Sequence, residues 1–206
     1  MSSIGEKIES LSKRLPEGTV LSAGAFAALG TRAAVDQALS RLTESGVIMR
    51  IERGRYVLPV QTRFGTRAPS PESVIEALAA ESGETIVSNG AVAANALGLT
   101  TQVPVRSVFL TSGRTRRLTL GKQVVEIRHV EAWQLRAPHR PAGQAVRALA
   151  WLGPEQAARA AAQLRESLAE EERRLLVSAC ASFPQWLAKT VSEAFVVAAT
   201  GQDANA

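Results

Sequence analysis

A single cysteine, Cys180, stands in 206 residues, which excludes an internal disulfide and any thiolate metal cluster. It lies in an apolar helical context, where a buried, inert thiol is expected. Histidine is nearly as scarce: His129 ends a β-rich run and His139 sits in the loop APHRP, neither with a carboxylate or cysteine at ligand spacing. No metal site and no cofactor are therefore expected. No serine sits on a nucleophile elbow, and GRTRRLTLGK has neither the spacing nor the following Ser or Thr of a Walker motif. Glu170, Glu171 and Glu172 are consecutive on a helix and point to different sides, as a solvated face does. No catalytic residue is expected, and the chain does not read as an enzyme. Aromatic residues make up 4% of the chain and fall mostly in apolar periods, too few to stack single-stranded bases, so an RNA-binding regulator is a weak third reading. No apolar run approaches the roughly 18 residues of a membrane span. The start MSSIGEKIES lacks the basic and then apolar layout of a signal peptide, so a cytoplasmic protein without membrane contact is expected.

What is present is a hydrophobic content of 46%, enough for a real core, and an uneven charge. The net charge of +5 divides into +4 over residues 1–67, −4 over 68–100, +7 over 101–150 and −2 over 151–206. The positive charge thus comes in two blocks.

The first block surrounds residues 22–58, which read as two short helices and a β-hairpin, the winged variant of the helix-turn-helix. Ser22 caps a helix to Leu29, Gly30 closes it, and Thr31 caps a second helix that ends before Gly46. Val35, Ala38, Leu39 and Leu42 recur at i, i+3, i+4 and i+7 and share a buried face with Phe26 and Leu29. Arg32, Ala33, Asp36, Gln37, Ser40 and Arg41 face outward, with Thr31 at the helix start. Small residues allow close approach to a major groove, Gln37 and Arg32 suit base edges, and Ser40 or Arg41 suits phosphate. Val47–Glu52 and Tyr56–Leu58 read as strands around the turn Arg53-Gly54-Arg55, a basic wing for a minor groove or backbone. A small helical domain with a solvated hairpin would carry the same pattern, although helix face and wing charge both favour DNA.

A helix over Ile4–Leu15 places Ile4, Ile8, Leu11 and Leu15 on one face, and Val20-Leu21 is expected to pair with the hairpin. The segment 59–71, with three prolines, reads as an ordered linker and puts a domain boundary near residue 67, giving domains 1–67 and 68–206. In the second domain a helix from Pro71 buries Val74, Ile75 and Leu78, followed by a strand over Thr85–Ser88 and a helix in AVAANALGL. Ser107–Thr111 and Gln123–Val130 read as strands joined by SGRTRRLTLGK, whose Arg114, Arg116, Arg117 and Lys122 form a second basic surface for DNA or a protein partner, or a solvated tip. From Gln144 the chain reads as an alanine-rich helical part, with Trp133, Trp151 and Trp186 as packing anchors and a frayed tail GQDANA. The expected fold is α+β: a winged helix-turn-helix, then a mixed α/β domain with a small sheet and a helical end.

The stretches FAALGTRAAVDQALSRLTESGVIMRIERGRYVLP, SNGAVAANALGLTTQVP and FLTSGRTRRLTLGKQVVEIRH together resemble the AbiEi family of antitoxins from type IV toxin-antitoxin, or abortive infection, systems of bacteria, and FPQWLAKTV is similar to the family's late Pro-Trp segment. The resemblance implies a repressor that binds inverted repeats of double-stranded DNA in its own promoter. It also implies a C-terminal domain that counters a nucleotidyltransferase-like toxin without a stable complex. It puts Arg32, Gln37 and Arg41 on the reading helix, Arg53 and Arg55 on the wing, and Arg114, Arg116, Arg117 and Lys122 on the C-terminal surface. Symmetric operators call for a homodimer or paired binding. The competing expectation is an interaction module that masks an acidic partner through its basic hairpin without sequence-specific DNA binding.

Overall fold

A computed structural model describes residues 3–16 and 18–197, so the tail GQDANA lies outside the described residues. The fold is mixed α+β, with small sheets and several helices. The chain divides into two compact units, one made of residues 1–84 with 115–127, the other of 85–114 with 128–206.

In the first unit, α1 (Ile4–Ser12) starts at a reciprocal cap: the Ser3 hydroxyl accepts from the Glu6 N–H at 3.2 Å, and the Glu6 carboxylate accepts from the Ser3 N–H at 3.0 Å. The helix stops three residues short of the expected Leu15. It buries Ile8 and Ser12 and leaves Leu11 and Leu15 exposed, so the expected four-residue apolar face is only half in use. Strand β1 (Val20–Ser22) leads into a 3-10 segment, Ala23–Leu29, in place of the expected α-helix. Helix α2 (Arg32–Glu44) is capped by Thr31, whose hydroxyl accepts from the Ala34 N–H at 3.3 Å. Its Val35, Ala38, Leu39 and Leu42 are buried with Ile8, Phe26 and Tyr56 in one core. Strands β2 (Met49–Glu52) and β3 (Arg55–Val57) form a hairpin whose Gly54 takes φ +75°, a conformation that favours glycine. Strand β1 adds antiparallel to β3, Leu21 opposite Tyr56, in the order β1-β3-β2.

Residues 59–71, expected as an ordered linker, hold paired strands: β4 (Val60–Thr62) and β5 (Gly65–Arg67) form a second hairpin. Helix α3 (Pro71–Ser82) follows, capped by Ser70 and closed by Gly83, and buries Val74, Ile75 and Leu78 as their spacing predicts. The boundary expected at residue 67 does not coincide with the division between units. Helix α3 packs on β1, and residues 115–127 return to the first unit and pack against β2.

In the second unit, β6 (Ile86–Ser88) pairs antiparallel with β7 (Ser107–Thr111), Val87 opposite Leu110. Helix α4 (Gly90–Ala96) lies so close to α5 (Pro141–Leu152) that a Cβ at Gly90 would run into the Arg147 carbonyl and the Trp151 side chain. Only glycine permits that approach. The connection expected between two strands holds one of its own, which belongs to the first unit: β8 (Arg116–Leu120) forms a tight hairpin with β9 (Gln123–His129). Helices α6 (Pro154–Ser167), α7 (Glu170–Ser178) and α8 (Gln185–Ser192) complete a helical core with α5. Ala157, Ala160 and Ala161 of α6 are buried in it beside Leu149, Leu164, Leu176, Leu187 and Val191, their small side chains allowing close helix approach. Trp133 meets Phe183 edge to face with ring centres 6.1 Å apart, and Trp186 packs against the core, but Trp151 is 45% exposed and is no anchor. Among the described residues, no helix is long and apolar enough to cross a membrane.

Candidate nucleic-acid interface

The outward face of α2 carries Arg32, Ala33, Asp36, Gln37, Ser40 and Arg41, all exposed. Arg32 Nε donates to Asp36 at 2.9 Å, an i, i+4 pair open to solvent and therefore weak. Ser40 reaches Glu44 at 3.4 Å. Gln37 and Arg41 border a groove of about 430 Å³ shared with Ser3, Ile4 and Gly5 at the start of α1. The β2–β3 turn presents Arg53 to solvent beside Gly54.

Arg55 behaves differently and corrects the expectation of a free wing cation. Its Nη1 donates to Glu52 at 2.6 Å and its Nε to Glu81 at 3.1 Å. Burial pulls the guanidinium pKa down, but the hydrogen bond to Glu52 and the charge of Glu81 outweigh it and hold the group above its ordinary value. Arg116 closes the same network. It grips Glu84 with two bonds, Nη1 at 3.2 Å and Nη2 at 2.8 Å, and lies 3.9 Å from Glu52 with its side chain only 6% exposed. Arg116 is thus an internal tie of the first unit and leaves the expected basic surface. Glu81 and Glu84 come from the −4 block and the Arg116 guanidinium from the +7 block, a complementarity that the charge pattern held and the reading of separate blocks overlooked.

Of the remaining basic residues, Arg117 is 74% exposed and lies 3.5 Å from Glu126 across the β8–β9 hairpin. Lys122 is exposed at its tip, beside Gly121, and Arg114 is exposed on the second unit. The four expected together as one surface are therefore not equivalent. The β4–β5 hairpin adds a feature the sequence reading missed: Phe64 is 86% exposed at its tip, with the Arg63 guanidinium 4.6 Å from its ring centre. The signal was the dipeptide Arg63-Phe64 followed by a glycine between two short polar runs.

Two charges are buried in the second unit, and one of them departs from expectation. Glu172 is not on a solvated face: it caps α5, accepting the Ala142 N–H at 2.8 Å and Arg140 Nε at 2.9 Å. Burial draws its pKa up, but those two donors outweigh it and hold the carboxyl below its ordinary value. Arg147 on α5 is 2% exposed, donates from Nη2 to the Pro138 carbonyl at 3.1 Å, and has no hydrogen-bond partner at Nε or Nη1. Burial pushes its pKa down to about 10, so it remains cationic at neutral pH. Cys180 is half-buried, and burial pushes its thiol up, in keeping with an inert group. Among the described residues no three His, Cys, Asp or Glu gather as metal ligands.

Fold and surface together define a class: an α+β protein whose N-terminal unit exposes a polar helix face and two arginine-tipped hairpins. The chain belongs to the family of unknown function DUF6088, whose model matches residues 7–175, from within α1 to within α7. None of the curated proteins matches it.

Proposed function

We propose that the chain is a DNA-binding transcriptional regulator, its residues 20–57 acting as a winged helix-turn-helix. The observation that carries the reading is the α2 face: Gln37 and Arg41 lie exposed among Ala33 and Ser40, next to a strand order, β1-β3-β2, that ends in a glycine turn with Arg53 at its tip. A helix with small residues around an amide and a guanidinium suits a major groove, and an exposed arginine on a tight turn suits the adjacent backbone. The resemblance to AbiEi antitoxins supports a finer version: a cytoplasmic repressor of its own operon, bound in pairs to promoter inverted repeats, that counters a nucleotidyltransferase-like toxin without a stable complex.

The test is a gel-shift titration against the duplex directly upstream of the chain's own gene, beside a shuffled duplex, at two salt concentrations. Selective binding that weakens with salt is expected. Equal binding to both duplexes would leave only a generic cationic protein and sink the regulator reading.

A further inference from the structure

Phe64 is the one aromatic side chain among the described residues that stands almost wholly in solvent, 86% exposed where Trp151 is 45%. It is not on a slack loop. The Thr62 hydroxyl donates to the Gly65 carbonyl at 2.7 Å and accepts the Phe64 N–H at 3.2 Å, and the Thr66 hydroxyl donates to the Gln61 side chain at 3.0 Å. Gly65, at φ +113°, supplies a backbone turn that other residues rarely adopt. The Arg63 guanidinium covers part of the ring at 4.6 Å and brings positive charge to the same point. No Asp or Glu occurs between Arg53 and Pro71. Every neighbour on the tip, from Gln61 to Arg67, is polar or glycine and exposed.

A lone ring within a cationic rim that holds no acid suits a polyanion better than an apolar protein surface. It is the right size for one base-pair step, into which architectural proteins insert a single apolar side chain while cations hold the phosphates. We propose that the β4–β5 hairpin is a DNA wedge: Phe64 enters a base-pair step of the duplex bound by α2, and Arg63 lies against the flanking phosphate. The inference rests on the DNA-binding reading above and adds to it a local unstacking of the site.

The experiment uses the full chain and the upstream duplex, footprinted first and then prepared with 2-aminopurine at successive steps of the protected segment. The wild type is expected to raise 2-aminopurine fluorescence and permanganate reactivity at one step beside the protected core. Phe64→Ala abolishes that signal, keeps the footprint, and weakens binding about tenfold, while Phe64→Leu, still an apolar wedge, retains the signal. A selective wild-type footprint with no reactive step, or a reactive step that survives in Phe64→Ala, overturns the wedge and leaves the regulator reading standing. Absence of wild-type binding to the upstream duplex overturns both. Loss of a co-purifying protein in Phe64→Ala with DNA binding unchanged would assign the tip to a protein partner and overturn the wedge.

Discussion

Arg116→Ala and Arg117→Ala remove the same charge from neighbouring positions of one strand, yet their costs are expected to differ widely. Arg116 holds Glu84 by two bonds with its own side chain 6% and that of Glu84 22% exposed. Removing it leaves a largely buried carboxylate short of two donors and takes a countercharge away from Glu52, itself 10% exposed at its side chain. Breaking a buried pair by deleting one member costs about 3 to 5 kcal/mol, and Arg55 remains to shield Glu52, so about 2 to 4 kcal/mol is expected. Arg117, by contrast, is 74% exposed and 3.5 Å from Glu126. A pair of that kind contributes about 0 to 1 kcal/mol. The assay is urea unfolding followed by far-UV circular dichroism, because the three tryptophans at 133, 151 and 186 all lie in the second unit and would underreport the first. Equal losses in the two variants would refute the network, and so would a loss at Arg116 that added salt removes, since screening acts on exposed charges.

Arg41→Ala and Gln37→Ala should relax preference at one or two operator positions by about 1 to 3 kcal/mol, while Arg53→Ala weakens all sequences alike and lowers the salt slope by about one; binding titrations on single-base variants separate the two patterns. Glu172→Gln should cost roughly 1.5 to 3 kcal/mol at neutral pH, the worth of hydrogen bonds to a charged group. Because the folded carboxyl titrates below its ordinary value of 4.5, its stabilisation is complete above that pH and is lost as pH falls through the depressed folded value. The gap between wild type and Glu172→Gln in urea midpoints should therefore close on acidification and hold steady from pH 5 upward. Arg147→Met should be neutral or stabilising by up to about 2 kcal/mol, since it removes a buried cation that has no acid facing it and keeps a flexible apolar stem. A clear loss of stability in thermal melts would mean that the bond to Pro138 outweighs desolvation.

Periodicity made the helices legible. The i, i+3, i+4 spacing in α2 and α3 identified Val35, Leu39, Val74 and Leu78 as core. The cap at Thr31 and the proline at Pro71 marked helix starts, the one by its hydroxyl and the other by its fixed φ. The site was only half legible. Exposure follows from a helical wheel, which put Gln37 and Arg41 outside, but the fate of Arg55 and Arg116 depended on carboxylates 26 and 32 residues away in sequence. No local pattern carries that information. Short polar strands such as β4 and β5 escape for a related reason: their stability lies in backbone pairing and turn geometry, and no apolar alternation announces them. Glu172 looked solvated because its neighbours Glu170 and Glu171 are, while the helix start it caps lies 30 residues earlier.

The first unit is assembled from two lengths of chain, and that governs when it can be finished on the ribosome. After residue 84 leaves the exit tunnel, the sheet β1-β3-β2 has its helices but still awaits the hairpin that carries Arg116, Leu118 and Leu120. Thirty intervening residues, 85–114, belong to the other unit and must be synthesised first. Until residues 115–127 emerge, β2 lacks the segment that packs against it, and Glu52 and Glu84 stand without the guanidinium that joins them. Completion of the N-terminal unit is thus a late event in translation, and a fragment ending at residue 67 or 84 would carry an incomplete core and an incomplete charge network, a poor vehicle for testing α2 as a DNA reader.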